Sequence, residues 1–272
     1  MTICIAAMCE NGKAVIAASD KMITYSAPPY HQFEHPRSKL QILARRAVIA
    51  TAGSALLPSE FINLIKEEMA KIEKLNIREI AYAAERAYRR LRVKGIEGRV
   101  LSAYGITWSE YRDIVKSGEI TDLYYRIISQ VENFRIELEA IIAGVDESGA
   151  HIYVIDNPGY SNSFDDIGYT AIGSGEYHAI RSFIENYYSV SLPIPQALYV
   201  VYEAKKYAEF APGVGKQTDI VIITEDGVIE VNEKIKNELD EAYKTKMKII
   251  EELREKSLKD YFEKIDKYLK SY

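Results

Sequence analysis

The chain has almost no cysteine: two thiols in 272 residues, Cys4 and Cys9. Five apart in one strand, they point to opposite faces and form neither a metal motif nor a redox pair, so a reducing compartment is expected. Basic charge is not in excess either. Thirty-five Lys and Arg against 40 Asp and Glu leave a net charge of −5, which excludes a general phosphate-neutralising nucleic-acid binder. No stretch reaches the roughly 18 uncharged apolar residues that a membrane span needs, and no leader precedes Thr2, so a cytoplasmic protein is expected. There are only four histidines, His31, His35, His151 and His178, and they are scattered. The segment HQFEH at 31–35, in a Pro- and Tyr-rich neighbourhood, reads as a solvated loop at a pocket or subunit contact. Low-complexity tracts and repeats are missing too. The single tryptophan, Trp108, and the many tyrosines read as packing or interface residues, not a stacking platform for bases.

What remains is an ordinary globular composition, 47% apolar and 28% charged, long enough for a sizeable core. Residues 3–8 and 13–18 alternate as two strands around an Asn11-Gly12 hairpin signal. A second pair follows at 39–43 and 47–51. From Pro58 the residues Phe61, Ile65, Met69 and Ile72 recur at helical spacing, and Ile80, Ala83, Ala87 and Leu91 mark a second helix. Gly95 and Gly98 punctuate the stretch 96–130, which reads as one or two inserted helices. Strands are expected at 136–145 and 151–155, a break at Asn157-Pro158-Gly159, and a strand at 169–172 ending in Gly173-Ser174-Gly175. Helices at 176–187 and 195–210 and a strand at 219–224 complete the body. Residues 233–272 are highly charged with an apolar stripe through Leu239, Tyr243, Ile250, Leu253 and Ile265. Such a tail either packs on its own domain or contacts another subunit.

The residue that stands out chemically is Thr2. If Met1 is removed, its hydroxyl gains a base, because its own α-amine titrates at about pH 8 and can take the proton. A neighbouring cation lowers the proton affinity of such a site, and a carboxylate can hold it in place. Asp20, at the end of the second strand, and Lys39, at the start of the third, supply those groups. Cys4 lies inside a strand without a histidine partner and reads as core.

Five stretches in order, TICIAAMCENGKAVIAASDK, SKLQILARRAVIATAGS, AIIAGVDESGAHIYVIDNPG, YTAIGSGEYHAIRSF and TDIVIITEDGV, resemble the proteasome-type N-terminal nucleophile hydrolases, β-type. They cover most of residues 2–228. The resemblance implies an α+β fold, a four-layer αββα sandwich over residues 1–232, with a helical insertion at about 96–130. Residues 233–272 then form a C-terminal helical extension.

It also implies site roles. Thr2 falls on the nucleophile, Asp20 on the first acidic residue and Lys39 on the catalytic lysine. Ser174 falls on the serine that binds the threonine amine and the attacking water. Thr51 falls where the family has a glycine whose backbone N–H holds the oxyanion; the N–H survives the change, but a β-branched side chain narrows the adjacent space. The second acidic partner of Ser174 has no clean match, and Glu209 or a residue of APGVGKQ is expected to stand in for it. The implied activity is cleavage of amide bonds in a peptide or protein through an acyl-enzyme, by a threonine endopeptidase-like hydrolase. No cofactor, metal, nucleic acid or membrane is called for. A homo-oligomer is expected, and a regulatory ATPase or other assembly partner is left open. Three alternatives stand beside this reading: an inactive structural subunit, an amide-transferring ligase on the same fold, and a non-catalytic scaffold.

Overall fold

Residues 2–25, 31–118 and 121–271 are described by the computed structural model; Met1, on whose removal the sequence reading turns, lies outside them, as do residues 26–30 of the Pro- and Tyr-rich stretch and 119–120 of the insertion. Strands β1 (Cys4–Cys9), β2 (Ala14–Asp20), β3 (Met22–Tyr25), β4 (His31–Glu34), β5 (Leu40–Ala44) and β6 (Ala47–Gly53) come first. Helices α1 (Pro58–Met69), α2 (Ile77–Arg99), α3 (Trp108–Ser117) and α4 (Asp122–Asn133) follow, with a 3₁₀ turn at Leu101–Tyr104 between α2 and α3. The chain returns to strands with β7 (Leu138–Asp146), β8 (Gly149–Asp156), β9 (Tyr160–Ser163) and β10 (Tyr169–Ile172). It then passes through α5 (Glu176–Glu185), α6 (Ile194–Ala208), β11 (Thr218–Thr224) and β12 (Gly227–Glu230) to α7 (Glu233–Leu269).

Two antiparallel five-stranded sheets form, in the orders β10-β1-β2-β11-β12 and β5-β6-β7-β8-β9. Alternate residues of each strand face alternate layers. Val48, Ala50 and Ala52 of β6 meet Cys4, Ala6 and Val15 of the first sheet in the inter-sheet core. Ala47 and Ile49, one residue out of phase, face α1 and α2 with Phe61, Ile65, Ala84 and Tyr88. On the far side, α6 packs on β1 and β2, and α5 on β10. The result is the four-layer αββα order. Strands covered on both faces are largely apolar, and β1 and β2 are buried at every position, with Ser19 and Asp20 as the polar end of β2.

Local chemistry fixes the second helix layer. Asn76 caps α2 by accepting the Glu79 N–H at 2.8 Å, and Asp146 accepts the Ile77 N–H at 2.9 Å. Tyr88 is fully buried, and its hydroxyl donates to the Leu138 carbonyl at 2.8 Å. Gly95 does not end a helix as the sequence pattern suggests. It lies within α2, where a Cβ would sit 2.8 Å from the Phe134 ring. The end of α2 and the helices that follow share a small core of Ile96, Leu101, Ile127 and Val131, with Trp108 packed against it.

A second difference concerns HQFEH. His31–Glu34 is a strand that pairs with Met22–Tyr25 in a two-stranded ribbon, not a solvated loop. Residues 231–272 form a separate unit. Its helix α7 runs 37 residues, about 55 Å, and begins where Asn232 accepts the Ile235 N–H at 3.0 Å. Among the described residues no helix is long and apolar enough to cross a membrane.

Candidate active site

The β1–β2 hairpin places the start of one strand beside the end of the next. Cys4 pairs with Ser19, so Thr2 and Asp20 meet at its open end. Thr2 Oγ1 donates to Asp20 Oδ1 at 2.5 Å, and Lys39, just before β5, donates from Nζ both to Thr2 Oγ1 and to Asp20 Oδ1, the latter at 2.6 Å. The Asp20 side chain has no exposed surface and that of Lys39 has 17%. Three backbone N–H groups complete the carboxylate: Ile3 on Oδ1 at 3.0 Å, then Met22 and Gly215 on Oδ2 at 3.1 and 2.8 Å. Every partner of Asp20 is a donor. A carboxylate so surrounded cannot turn, and it fixes both the hydroxyl and the lysine.

Ser174 closes the other side. It accepts the Thr2 N–H at 3.1 Å, and its hydroxyl lies 3.4 Å from the Thr2 carbonyl and 3.5 Å from that of Pro212. The flanking glycines are needed for this approach. Gly173 has φ +97°, and a Cβ there would sit 2.5 Å from the Thr2 carbonyl oxygen; at Gly175 it would sit 2.9 Å from Ala208. Gly175 also donates its N–H to the Thr2 carbonyl at 3.2 Å.

Thr51 is not in this cluster. It is an interior residue of β6, paired with Ala140, and its carbonyl accepts the Cys4 thiol at 3.4 Å. Gly53, two residues on, lines the cavity beside Thr2, with φ +104° and no room for a Cβ, which would fall 2.3 Å from the Glu137 carbonyl oxygen. That cavity, of about 350 Å³, is bounded also by Glu137, Glu139 and Glu176. Burial pushes the Glu176 carboxyl above its usual range, and the neighbouring Glu139 charge adds to the effect. Burial likewise pushes the Cys4 thiol up to about 12, against the opposing pull of Lys39.

Glu209 does not meet Ser174. Its carboxylate is taken by Lys205 at 2.6 Å and Lys206 at 3.0 Å. From APGVGKQ, two residues reach the cluster, Gly215 through its N–H and Pro212 through its carbonyl. Both contacts are made by backbone, which a search for acidic side chains cannot find. Gly53 was findable, as a glycine two residues beyond a predicted strand.

A second hydroxyl, nitrogen and carboxylate meet elsewhere, beside a larger cavity of about 690 Å³. Ser148 Oγ lies 2.8 Å from His151 Nε2, and His151 Nδ1 lies 2.7 Å from Asp165 Oδ2. The Ser148 hydroxyl also donates to Asp146 Oδ1 at 2.5 Å, so its own proton is not directed at the ring. The hydrogen bond to Asp165, outweighing burial and helped by Asp146, holds the His151 ring above its ordinary pKa. Among the described residues, no three His, Cys, Asp or Glu are grouped to hold a metal ion.

The sequence profile of the family described as "Proteasome subunit" matches residues 119–223. The chain is 37% identical to the proteasome subunit beta of Haloferax volcanii over 94 residues, 34% of this chain and 36% of that protein. It is 31% identical to proteasome subunit beta 2 of Thermofilum pendens over 115 residues, 41% of this chain and 53% of that one. The proteasome subunit beta of Ferroglobus placidus matches at the same identity over 115 residues, 52% of its length. The matched stretches thus span about a third to a half of these relatives.

Proposed function

From the premise that the chain is a proteasome-type, β-subunit-like protein, we propose that it is a threonine hydrolase of amide bonds, acting through an acyl-enzyme on Thr2. The observation that carries this reading is the single hydrogen-bonded unit of Thr2 Oγ1, Lys39 Nζ and Asp20 Oδ1 beside a cavity. Once the bond from Met1 to Thr2 is cleaved, the Thr2 nitrogen is a free amine still beside Ser174, able to accept the hydroxyl proton as Oγ1 attacks a carbonyl carbon. The attack forms the C–O bond and places negative charge on the substrate oxygen. The Gly53 N–H, at the rim of the cavity, is the proposed donor to that oxygen, in place of Thr51. The amine then returns its proton to the leaving nitrogen, and water resolves the ester.

Transfer to a second amine is an alternative resolution, favoured by one observation. Among the described residues, the Ser174 hydroxyl meets only the Thr2 nitrogen and two carbonyls, and no carboxylate helps it to activate water. Assembly with further copies of the chain is part of the proposal, since proteasome subunits form oligomers; a strict monomer by light scattering would remove it.

The test is labelling by a peptide epoxyketone, which closes a ring onto both a threonine hydroxyl and its free amine. Intact mass should show loss of Met1 and one equivalent of probe on Thr2. Peptide turnover by protein whose mass retains Met1 would overturn the reading. Product analysis with added amines separates hydrolysis from transfer.

A further inference from the structure

Lys205 lies on α6 with none of its side chain exposed. Burial drives its pKa below the usual lysine range, against the opposing pull of Glu209. An apolar residue of similar length would fill the site without that penalty, so a lysine here calls for a positional explanation. Its Nζ makes two bonds of 2.6 Å, one to Glu209 Oε1 and one to the Lys216 carbonyl. Glu209 stands one turn along the same helix, where it caps the C-terminus of α6. The Lys216 carbonyl belongs to the segment 211–217, which links α6 to β11 and has no regular structure of its own.

This segment bears directly on the candidate active site. Gly215 donates its N–H to Asp20 Oδ2, and the Pro212 carbonyl faces Ser174. It is gripped from two directions. Lys205 holds the Lys216 carbonyl from the interior, and Glu34 accepts the N–H groups of Lys216 and Gln217 at 2.7 and 2.8 Å from the outside. Gly215 has no slack between them, because a Cβ there would sit 2.9 Å from that of Met22. The Lys205 charge also acts on Asp20 through space. Asp20 is thus held by Lys39 in direct contact and, through one peptide segment, by Lys205.

We infer that Lys205, paired with Glu209, is a positioning residue for the Thr2–Asp20–Lys39 cluster, acting through the segment 211–217. It touches no reacting atom; it sets where the Gly215 N–H meets Asp20. The catalytic half of this inference rests on the threonine-hydrolase reading above, while the structural half does not.

Two variants test it: Lys205→Met, and the double variant Lys205→Met/Glu209→Met, which leaves no lone buried charge and keeps the side-chain volume, so that it folds even where the single variant fails. Glu68→Gln, in the α1–α2 ion-pair network, serves as a destabilised control remote from the cluster. Amide exchange is measured by NMR on the full chain, and the rate of β-lactone labelling at Thr2 is followed against pH. In the double variant the Gly215 amide should exchange at least about tenfold faster while strand amides of β1 and β2 hold. Labelling should slow by roughly 10- to 100-fold, as for a small misplacement of a catalytic group. Its pH profile should change, because the Thr2–Asp20–Lys39 cluster loses a fixed N–H donor and a nearby cation. Glu68→Gln should change neither the exchange of Gly215 nor the pH profile. A folded double variant with unchanged Gly215 exchange, or with faster exchange and an unaltered pH profile, overturns the inference. Should the parent protein not label at all, the hydrolase reading fails, and Gly215 exchange alone decides whether Lys205 positions the segment.

Discussion

Among the described residues, the trios Thr2–Lys39–Asp20 and Ser148–His151–Asp165 each join a hydroxyl, a nitrogen and a carboxylate, and they differ in what surrounds the hydroxyl. In Thr2–Lys39–Asp20 the hydroxyl borders a cavity, and a glycine with positive φ lies across from it. In Ser148–His151–Asp165 the hydroxyl proton is committed to Asp146, and the ring between the two carboxylates is held above its ordinary pKa. The second trio instead joins three segments, since Asp146 also accepts the Ile77 N–H at the start of α2. A nucleophile, a base and an acid in contact are therefore insufficient. What separates the trios is where the protons already are, and whether a carbonyl has somewhere to place its oxygen.

The largest effect that would break this contrast is on labelling. Thr2→Ala and Lys39→Ala should each reduce probe incorporation by about 10²–10⁴-fold. Ser148→Ala should leave it within about twofold, since no step of the proposal passes through Ser148. Fluorophosphonate incorporation at Ser148 would erase the distinction between the trios. Thr2→Ser, which keeps both functional groups, should retain part of the rate.

A smaller effect is expected at Gly173. Gly173→Ala places a methyl against the Thr2 carbonyl at a positive φ, and should destabilise the protein by about 1–3 kcal/mol in denaturant titration. Labelling should fall with it, because the displaced atoms are those of Thr2 itself. Equal loss of stability from His151→Gln with labelling intact would sharpen the separation of the two regions.

The smallest effect is the pH dependence of the second trio. The folded pKa of His151 is raised above its ordinary value of 6.5. The stabilisation it contributes is therefore complete below the unfolded pKa and is lost as pH rises through the folded one. Because the network is partly open to solvent, the difference should be no more than about 1 kcal/mol. Melting curves of the parent and of His151→Gln should converge on the alkaline side of that window and diverge on the acid side.

Much of this was legible in the sequence, for identifiable reasons. The alternation at 3–8 and 13–18 with Asn11-Gly12 specifies the first hairpin, and the helical spacing of Phe61 to Met69 specifies α1; both form. The four-layer order follows the strand and helix order. The proposed oxyanion donor is a different matter. Thr51 and Gly53 share a face of β6, and a period of two cannot choose between them; only the glycine's backbone freedom distinguishes the position. Lys205 was invisible because a lysine late in an amphipathic helix ordinarily reads as solvated. The strand at 31–34 has no apolar alternation, and its pairing with Met22–Tyr25 is a property of the pair.

The burial of the two thiols has a practical consequence. Cys4 sits one strand position from Ile3 and two from the threonine, yet with its pKa pushed to about 12, like that of Cys9, hardly any thiolate exists at neutral pH. Sulfur ordinarily outcompetes a hydroxyl for any soft electrophile. Here the usual competitor is silenced by its surroundings, so a broad-spectrum reagent becomes, on this fold, a selective one. Background in an electrophile screen should be close to nil. A covalent adduct found on the native chain can then be read as oxygen or nitrogen chemistry without first mutating either cysteine.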